Sequence, residues 1–193
     1  MDNKGLDRAA RLVHTLIGEV LTLGGVAIDA TAGNGHDTLF LARQVGSGGL
    51  VYAFDIQQQA LLTTSERLVA HGLDKQVILL QHSHEEMAQW VTVTVDAVIF
   101  NLGYLPGGKH DLVTKPESTL AALGAAILLL RPGGRIGIVI YTGHSGALKE
   151  LDAVEMFAKS LDPTLFNTIR ITNLNRSARA PVVIFVEKAG DVG

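Results

Sequence analysis

Continuous apolar runs, each short enough for a single strand, alternate along this chain with stretches that repeat apolar residues at helical spacing. The first four runs cover 25–29, 49–55, 77–80 and 96–100. Such strands must be covered on both faces, and helices between successive strands cover both faces of a parallel sheet. The pattern therefore predicts one three-layer α/β domain, residues 1–193, with a mostly parallel seven-stranded sheet and helices on both faces.

The same periodicity sets the remaining elements. No helical pattern separates the last two strand-like runs, so we expect a C-terminal hairpin that places an antiparallel strand in the sheet. The predicted helices are 6–22, 36–45, 57–71, 117–130 and 145–160, and the later strands are 135–141, 165–172 and 181–187.

Composition removes several classes of protein. The chain has no cysteine, which excludes disulfides, thiolate metal sites and cysteine nucleophiles. Its N-terminus lacks a signal-peptide pattern, and no apolar run approaches the roughly 20 residues of a membrane span. We therefore expect a cytoplasmic protein that does not contact a membrane.

Charge is distributed unevenly along the chain. The formal net charge at pH 7 is −3. Residues 1–100 hold 6 basic and 11 acidic side chains, whereas residues 101–193 hold 10 basic and 8 acidic ones. A polyanionic partner is therefore expected to prefer the second half.

Polar residues gather where the predicted strands end. The segment 29–38, Asp-Ala-Thr-Ala-Gly-Asn-Gly-His-Asp-Thr, follows the first strand, and Asp55 ends the second. Glycines allow a ligand close to the backbone, and the N–H groups that begin the next helix are free to bind it. Ligands of open α/β sheets bind at this edge. Thr38 occupies the place of the third glycine in a dinucleotide-binding loop, which weakens a nicotinamide interpretation.

This set of motifs resembles the class I S-adenosylmethionine-dependent methyltransferases, with Pro132-Gly133-Gly134 as the turn before the fifth strand. The segments 29–38, 53–57, 83–85 and 101–108 are similar to a small bacterial family labelled rRNA methylases. Members of that family methylate the amine of 5-aminomethyl-(2-thio)uridine at the tRNA wobble position. The resemblance runs from about residue 8 to residue 188 and implies a Rossmann-like methyltransferase fold, S-adenosylmethionine as cofactor and tRNA as substrate.

The resemblance also implies roles for individual residues. Ser83 and His84 are expected to flank the adenine, and Asp55 to bind both ribose hydroxyls. Apart from the resemblance, no metal is expected, because no carboxylate-rich set of partners accompanies His82 and His84. His14 and His71 lie in helical patterns and are expected to be structural or to lie at the surface. The full set predicted to bind the cofactor is Asp29, Gly33, Asn34, Gly35, Asp37, Thr38, Asp55, Gln57, Ser83 and His84.

Asn101-Leu102-Gly103-Tyr104 resembles the Asn-Pro-Pro-Tyr signature of amine-directed methyltransferases. An amine must aim its lone pair at the methyl group, so its N–H bonds need acceptors on the other side. The Asn101 side-chain oxygen and the Leu102 carbonyl are predicted to be these acceptors, with Tyr104 stacking on the base. Further residues predicted to bind the substrate are Gly103, Pro106, His110, Tyr141, His144, Arg176 and Arg179, the two arginines contacting the RNA backbone.

Three alternatives remain open at this point. An rRNA or small-amine methyltransferase would share the cofactor residues but differ at 103–115 and 141–147. A nicotinamide-dependent oxidoreductase uses a similar fold, and a nucleotide-binding domain without catalysis would not need Asn101 or Tyr104. Both a monomer and a homodimer are compatible with the sequence.

Overall fold

The computed structural model describes residues 9–103, 114–143, 146–177 and 180–190. Within them, six α-helices alternate with seven strands, mostly one helix between successive strands. The helices are α1 Ala9–Gly18, α2 His36–Val45, α3 Gln58–Ala70, α4 Met87–Trp90, α5 Pro116–Leu129 and α6 Ala147–Ser160. The strands are β1 Val26–Asp29, β2 Leu50–Phe54, β3 Val77–Leu80, β4 Val95–Leu102, β5 Leu130–Ile140, β6 Phe166–Ile171 and β7 Val182–Lys188.

The strands form one sheet in the order β3-β2-β1-β4-β5-β7-β6. Pairs from β3 to β5 are parallel, and β7 is antiparallel to both of its neighbours. The predicted mostly parallel sheet and C-terminal hairpin are therefore confirmed. The chain leaves β1 toward β2 and β3 and returns to β4 on the other side of β1, so the order reverses between β1 and β4. A crevice opens at such a reversal, and ligands of α/β sheets bind there.

Two apolar cores lie on opposite faces of the sheet. Ile17 of α1, Leu41 of α2 and Leu68 of α3 belong to the core on one face. Leu123 of α5 and Val154 of α6 belong to the core on the other. Because every central strand is covered on both sides, its residues are buried without alternation, as β4 shows over most of its length.

Element bounds differ from the sequence prediction at a few places. Strand β5 begins at Leu130, because Leu130 already pairs with Val95 before the register shifts. The Pro-Gly-Gly segment therefore lies inside the strand, where a β-carbon on Gly134 would meet the Asp96 carbonyl oxygen at 2.8 Å. Two short helical segments between β3 and β4, His84–Glu86 and Met87–Trp90, were not predicted.

No helix among the described residues is long and apolar enough to cross a membrane.

Candidate active site

Asp29 ends β1 beneath the loop that follows it. Its side chain is fully buried; one carboxylate oxygen accepts the Thr31 N–H at 3.1 Å and the other accepts the Thr38 hydroxyl at 2.6 Å. Burial, with the nearby negative charge of Asp37 as the second cause, raises the pKa of Asp29 to about 7. Asp29 and Thr38 thus fix the shape of the loop from inside, and direct contact of either with a cofactor stays a prediction.

The glycines of this loop, residues 30–35 and called the glycine loop below, have backbone conformations that residues with a side chain rarely adopt. Gly33 has φ +53° and Gly35 has φ +74°. A β-carbon on Gly35 would also meet the Thr64 hydroxyl oxygen at 2.8 Å and its α-carbon at 2.9 Å. Helix α3 holds the loop further, because Thr64 donates to the Gly33 carbonyl at 3.1 Å and Arg67 donates to the Asn34 carbonyl at 2.7 Å.

Asp55 follows β2 and is only partly buried. One of its oxygens accepts the Gly33 N–H at 2.9 Å, and the other accepts the Gln57 N–H at 2.9 Å. Burial raises the pKa of Asp55, while these two hydrogen bonds act in the opposite direction. Each carboxylate oxygen can accept more than one hydrogen bond, so Asp55 joins the glycine loop to β2 and can still accept from ligand hydroxyls.

His84 lies after β3 with an unsatisfied atom. Its side chain is 9% exposed, its ring edge faces Phe100 at a centroid distance of 5.9 Å, and Nε2 has no hydrogen-bond partner among the described residues. Burial lowers the pKa of His84, with Asp55 among the groups that oppose the shift. A buried polar atom without a partner is costly, so Nε2 is suited to bind a ligand. Ser83 immediately precedes this helical turn.

His82 points to different partners. Its Nδ1 atom lies 2.8 Å from the Glu86 carboxylate, and its ring packs against Trp90 at 4.2 Å. In the described ranges no group of three or more histidine and acidic side chains could hold a metal ion.

Asp37, in the first turn of α2, connects two distant elements. One carboxylate oxygen lies 2.5 Å from His14 Nε2 of α1, and the other accepts the side-chain N–H of Asn101 from β4. The His14 ring stacks on Phe40 at 3.9 Å, nearly parallel. His14 was interpreted as structural or surface-exposed, and the structure adds that it contacts Asp37 in the polar cluster at the β1–β4 reversal. Its helical periodicity placed it beside a buried face, but no sequence signal connects α1 with Asp37.

Asn101 lies beside the glycine loop. Its backbone N–H donates to the Thr31 hydroxyl at 2.7 Å, which fixes the end of β4 against the segment that follows β1. Tyr141 follows β5, and its N–H donates to the Leu102 carbonyl at 3.1 Å. Burial raises the pKa of Tyr141, and the charge of Asp37 adds to the shift. The structure thus brings Asn101, Asp37 and Tyr141 into one neighbourhood.

A buried glutamate that the sequence did not single out bonds to two threonines at and before the start of α5. Glu150, at the start of α6, accepts the Thr114 hydroxyl at 2.8 Å and the Thr119 hydroxyl at 2.7 Å. Thr114 in turn accepts the Gly103 N–H at 3.0 Å, and its own N–H donates to the Gly103 carbonyl at 3.1 Å. Residues 103 and 114 are thereby held together by a buried carboxylate.

Arg176 is exposed in the segment between β6 and β7. The remaining predicted site residues lie outside the described residues: Tyr104, Pro106, His110, His144 and Arg179.

Several known proteins are similar to this chain in sequence and in fold. A curated relative from Arabidopsis thaliana, tRNA (mnm(5)s(2)U34)-methyltransferase, chloroplastic, is 39% identical over 194 residues, covering 95% of this chain and 70% of the relative. A solved rRNA-methylase-type structure from Clostridium thermocellum has a TM-score of 0.93 at 38% identity and covers 95% of this chain and 99% of that chain. A Streptococcus mutans protein solved in complex with SAH has a TM-score of 0.87 at 39% identity, covering 94% and 98% of the two chains.

The fold, the glycine loop and these relatives together define a methyltransferase that depends on S-adenosylmethionine. A family model described as "Putative rRNA methylase" matches residues 51–187, more than half of the chain. The chain belongs to this family.

Proposed function

We propose that the protein transfers a methyl group from S-adenosylmethionine to the exocyclic amine of 5-aminomethyl-(2-thio)uridine at the tRNA wobble position. The observation that carries the proposal is the position of Asn101. Its backbone N–H is bonded to Thr31, in the loop between β1 and α2, which supports assigning its side chain to the place where the cofactor and an amine would meet. The Arabidopsis relative, whose name specifies a modified wobble uridine of tRNA, supports the same substrate class.

The cofactor residues fit an adenosine group. Asp55 keeps acceptor capacity for ribose hydroxyls, and the buried Nε2 of His84 has no partner among the described residues. The glycine loop offers backbone groups at the start of α2, with Asn34 and Gln57 beside it. When bound, S-adenosylmethionine supplies an electrophilic methyl group, so that a primary amine becomes a secondary amine with release of one proton and S-adenosylhomocysteine.

The protein's contribution is positioning. The Asn101 side-chain oxygen and the Leu102 carbonyl accept the amine N–H bonds, which aims the nitrogen lone pair toward the methyl group. Gly103 leaves space for the substrate, and Tyr141 lies beside it. In the same proposal Tyr104 stacks on the base, and the other substrate contacts are Pro106, His110 and His144.

RNA binding is assigned to the segment between β6 and β7. Arg176 and Arg179 are proposed to contact phosphates, which fits the basic excess of the second half of the chain. Replacing both by alanine should weaken tRNA binding and reduce its salt dependence without changing cofactor affinity. Equal affinity and salt slope in filter binding would place the RNA elsewhere.

The experiment that tests the substrate is a methylation assay followed by nucleoside mass spectrometry. The substrates are tRNA that carries the unmethylated aminomethyl group, rRNA isolated from the same cells as that tRNA, and free aminomethyluridine. Methylation of the tRNA alone is the expected result. Preferential methylation of rRNA or of the free nucleoside would replace the proposal by that alternative. Calorimetry with NAD as the control ligand should show binding of S-adenosylmethionine only.

A further inference from the structure

The contacts of Asp37 determine how the Asn101 side chain is oriented. A carboxylate accepts hydrogen bonds and donates none when ionised. Asn101 therefore presents its NH₂ group to Asp37, as the structure shows, and its Oδ1 atom points away from Asp37. In the proposed function, Oδ1 is the atom that accepts the amine N–H.

His14 keeps Asp37 in this role. It lies 2.5 Å from the oxygen that does not contact Asn101, and its stacking on Phe40 fixes the ring. Asp37 itself is 8% exposed, so water competes little for its oxygens. Its two partners come from α1 and β4, 23 and 64 residues away in sequence. A carboxylate that only complemented the dipole of α2 would need neither partner.

We infer that Asp37, held by His14, is a positioning residue that sets the orientation of the Asn101 carboxamide, so that its oxygen and not its nitrogen faces the substrate amine. This inference rests on the proposed function, since it assigns the group that makes the amine site an acceptor. It implies that a residue that does not touch the substrate determines whether the amine meets a hydrogen-bond acceptor or a donor.

Two substitutions test this orientation. The first should make residue 101 present N–H donors to the amine, and the second should restore an acceptor oxygen there. In Asp37→Asn, the new amide accepts from His14 with its oxygen and turns its NH₂ group toward Asn101. Asn101 must then offer its oxygen to residue 37 and present N–H donors to the amine. In the double variant Asp37→Asn, Asn101→Asp, the NH₂ group of residue 37 meets a carboxylate, and the other carboxylate oxygen again accepts from the amine.

The measurements are single-turnover methylation of aminomethyl tRNA and calorimetric affinity for S-adenosylmethionine. We expect each single variant to lose at least about tenfold in rate, and the double variant to recover most of that loss. Asp37 was also predicted from the sequence to contact the cofactor; because His14 and Asn101 engage both of its oxygens, this inference instead expects cofactor affinity to stay within about threefold of wild type. The matched control is Asp152→Asn, an exposed carboxylate on α6, which should leave the rate unchanged. A double variant no faster than the slower single one would overturn the inference, as would a parallel loss of cofactor affinity in Asp37→Asn.

A readout without substrate separates this inference from the proposed function. The side-chain amide signals of Asn101 in a ¹⁵N spectrum are identified by their absence in Asn101→Asp. They should shift in Asp37→Asn and stay in place in Asp152→Asn. Unmoved signals would overturn the inference whatever the substrate is. Conversely, the signals could shift in Asp37→Asn while the wild-type protein leaves aminomethyl tRNA unmethylated. That combination would refute the proposed function and leave the orientation of Asn101 intact.

Discussion

Asp29 and Asp55 end neighbouring parallel strands, yet the structure gives them different surroundings. Asp29 is fully buried, and its partners are a hydroxyl and a backbone N–H of its own loop. Asp55 is partly exposed and accepts one N–H on each oxygen, which leaves lone pairs for a ligand. Two identical side chains at equivalent positions therefore serve different purposes, one shaping the loop from beneath and the other facing the crevice.

The two ends of the candidate site also differ in how far the protein's own hydrogen bonds satisfy their polar groups. At the β1–β4 end, Asp37 bonds to both Asn101 and His14, one through each carboxylate oxygen. At the β2–β3 end, the Nε2 atom of His84 lacks a partner among the described residues. The first end is organised by the protein's own hydrogen bonds, whereas the second retains a nitrogen unsatisfied by the described residues, and the proposed function assigns this nitrogen to the cofactor.

The largest effect is expected where the protein organises the site. Asn101→Ala removes the proposed acceptor and should lower the methylation rate by about 100-fold or more, because small misplacements of reacting groups are felt on that scale. Cofactor affinity measured by calorimetry should change little, since Asp55 and His84 remain.

The matched control for this variant is Asn167→Ala on the edge strand β6, an exposed position where the rate should not change. Turnover of Asn101→Ala close to wild type would exclude the Asn-Leu-Gly-Tyr segment as the amine site.

The next effect concerns the cofactor end. Asp55→Ala should weaken S-adenosylmethionine binding at least about tenfold, because it removes charge-assisted hydrogen bonds to the ribose and the bond that holds Gly33. Asp74→Ala, at an exposed aspartate, is the control and should bind normally. Normal binding by folded Asp55→Ala protein would remove this carboxylate from the site.

A smaller effect separates the conformation of the glycine loop from its packing. Gly35→Ala introduces a side chain at positive φ and also drives it against Thr64, whereas Gly72→Ala has a similar φ of +66° and nothing within 4 Å. Gly35→Ala should therefore lower the free energy of unfolding by about 1 kcal/mol more than Gly72→Ala. Urea denaturation measures both, and equal losses would show that the contact with Thr64 relaxes freely.

The last effect is a pH dependence specific to Asp29. Its pKa in the folded protein is about 7, above the ordinary value of 3.8, so the folded state binds this proton more tightly than the unfolded state. Raising the pH from about 4 to about 7 therefore removes stability through this group. Relative to wild type, Asp29→Asn should gain free energy of unfolding at pH 8 but not at pH 4. A constant difference between the two proteins would contradict the raised pKa.

Local patterns sufficed for the mostly parallel sheet, its C-terminal hairpin and the polar residues at the strand ends. The glycine loop, Asp55 and Asn101 were identifiable because each directly follows an apolar run. His14, Thr64 and Glu150 were not, because each acts on a residue at least 23 positions away through a helix whose packing the periodicity does not specify. The two short helical segments after β3 were missed because three and four residues are too few to show a period.

The sequence by itself determined the α/β class, the parallel sheet with its terminal hairpin, and the edge at which the polar residues meet, because hydrophobic periodicity and strand direction are local properties. Only the tertiary structure decided which carboxylate is buried, which histidine contacts Asp37, and which end of the Asn101 carboxamide faces Asp37. Those properties depend on how neighbouring elements pack, since burial and hydrogen-bond partners from other elements set both the protonation and the orientation of a polar side chain.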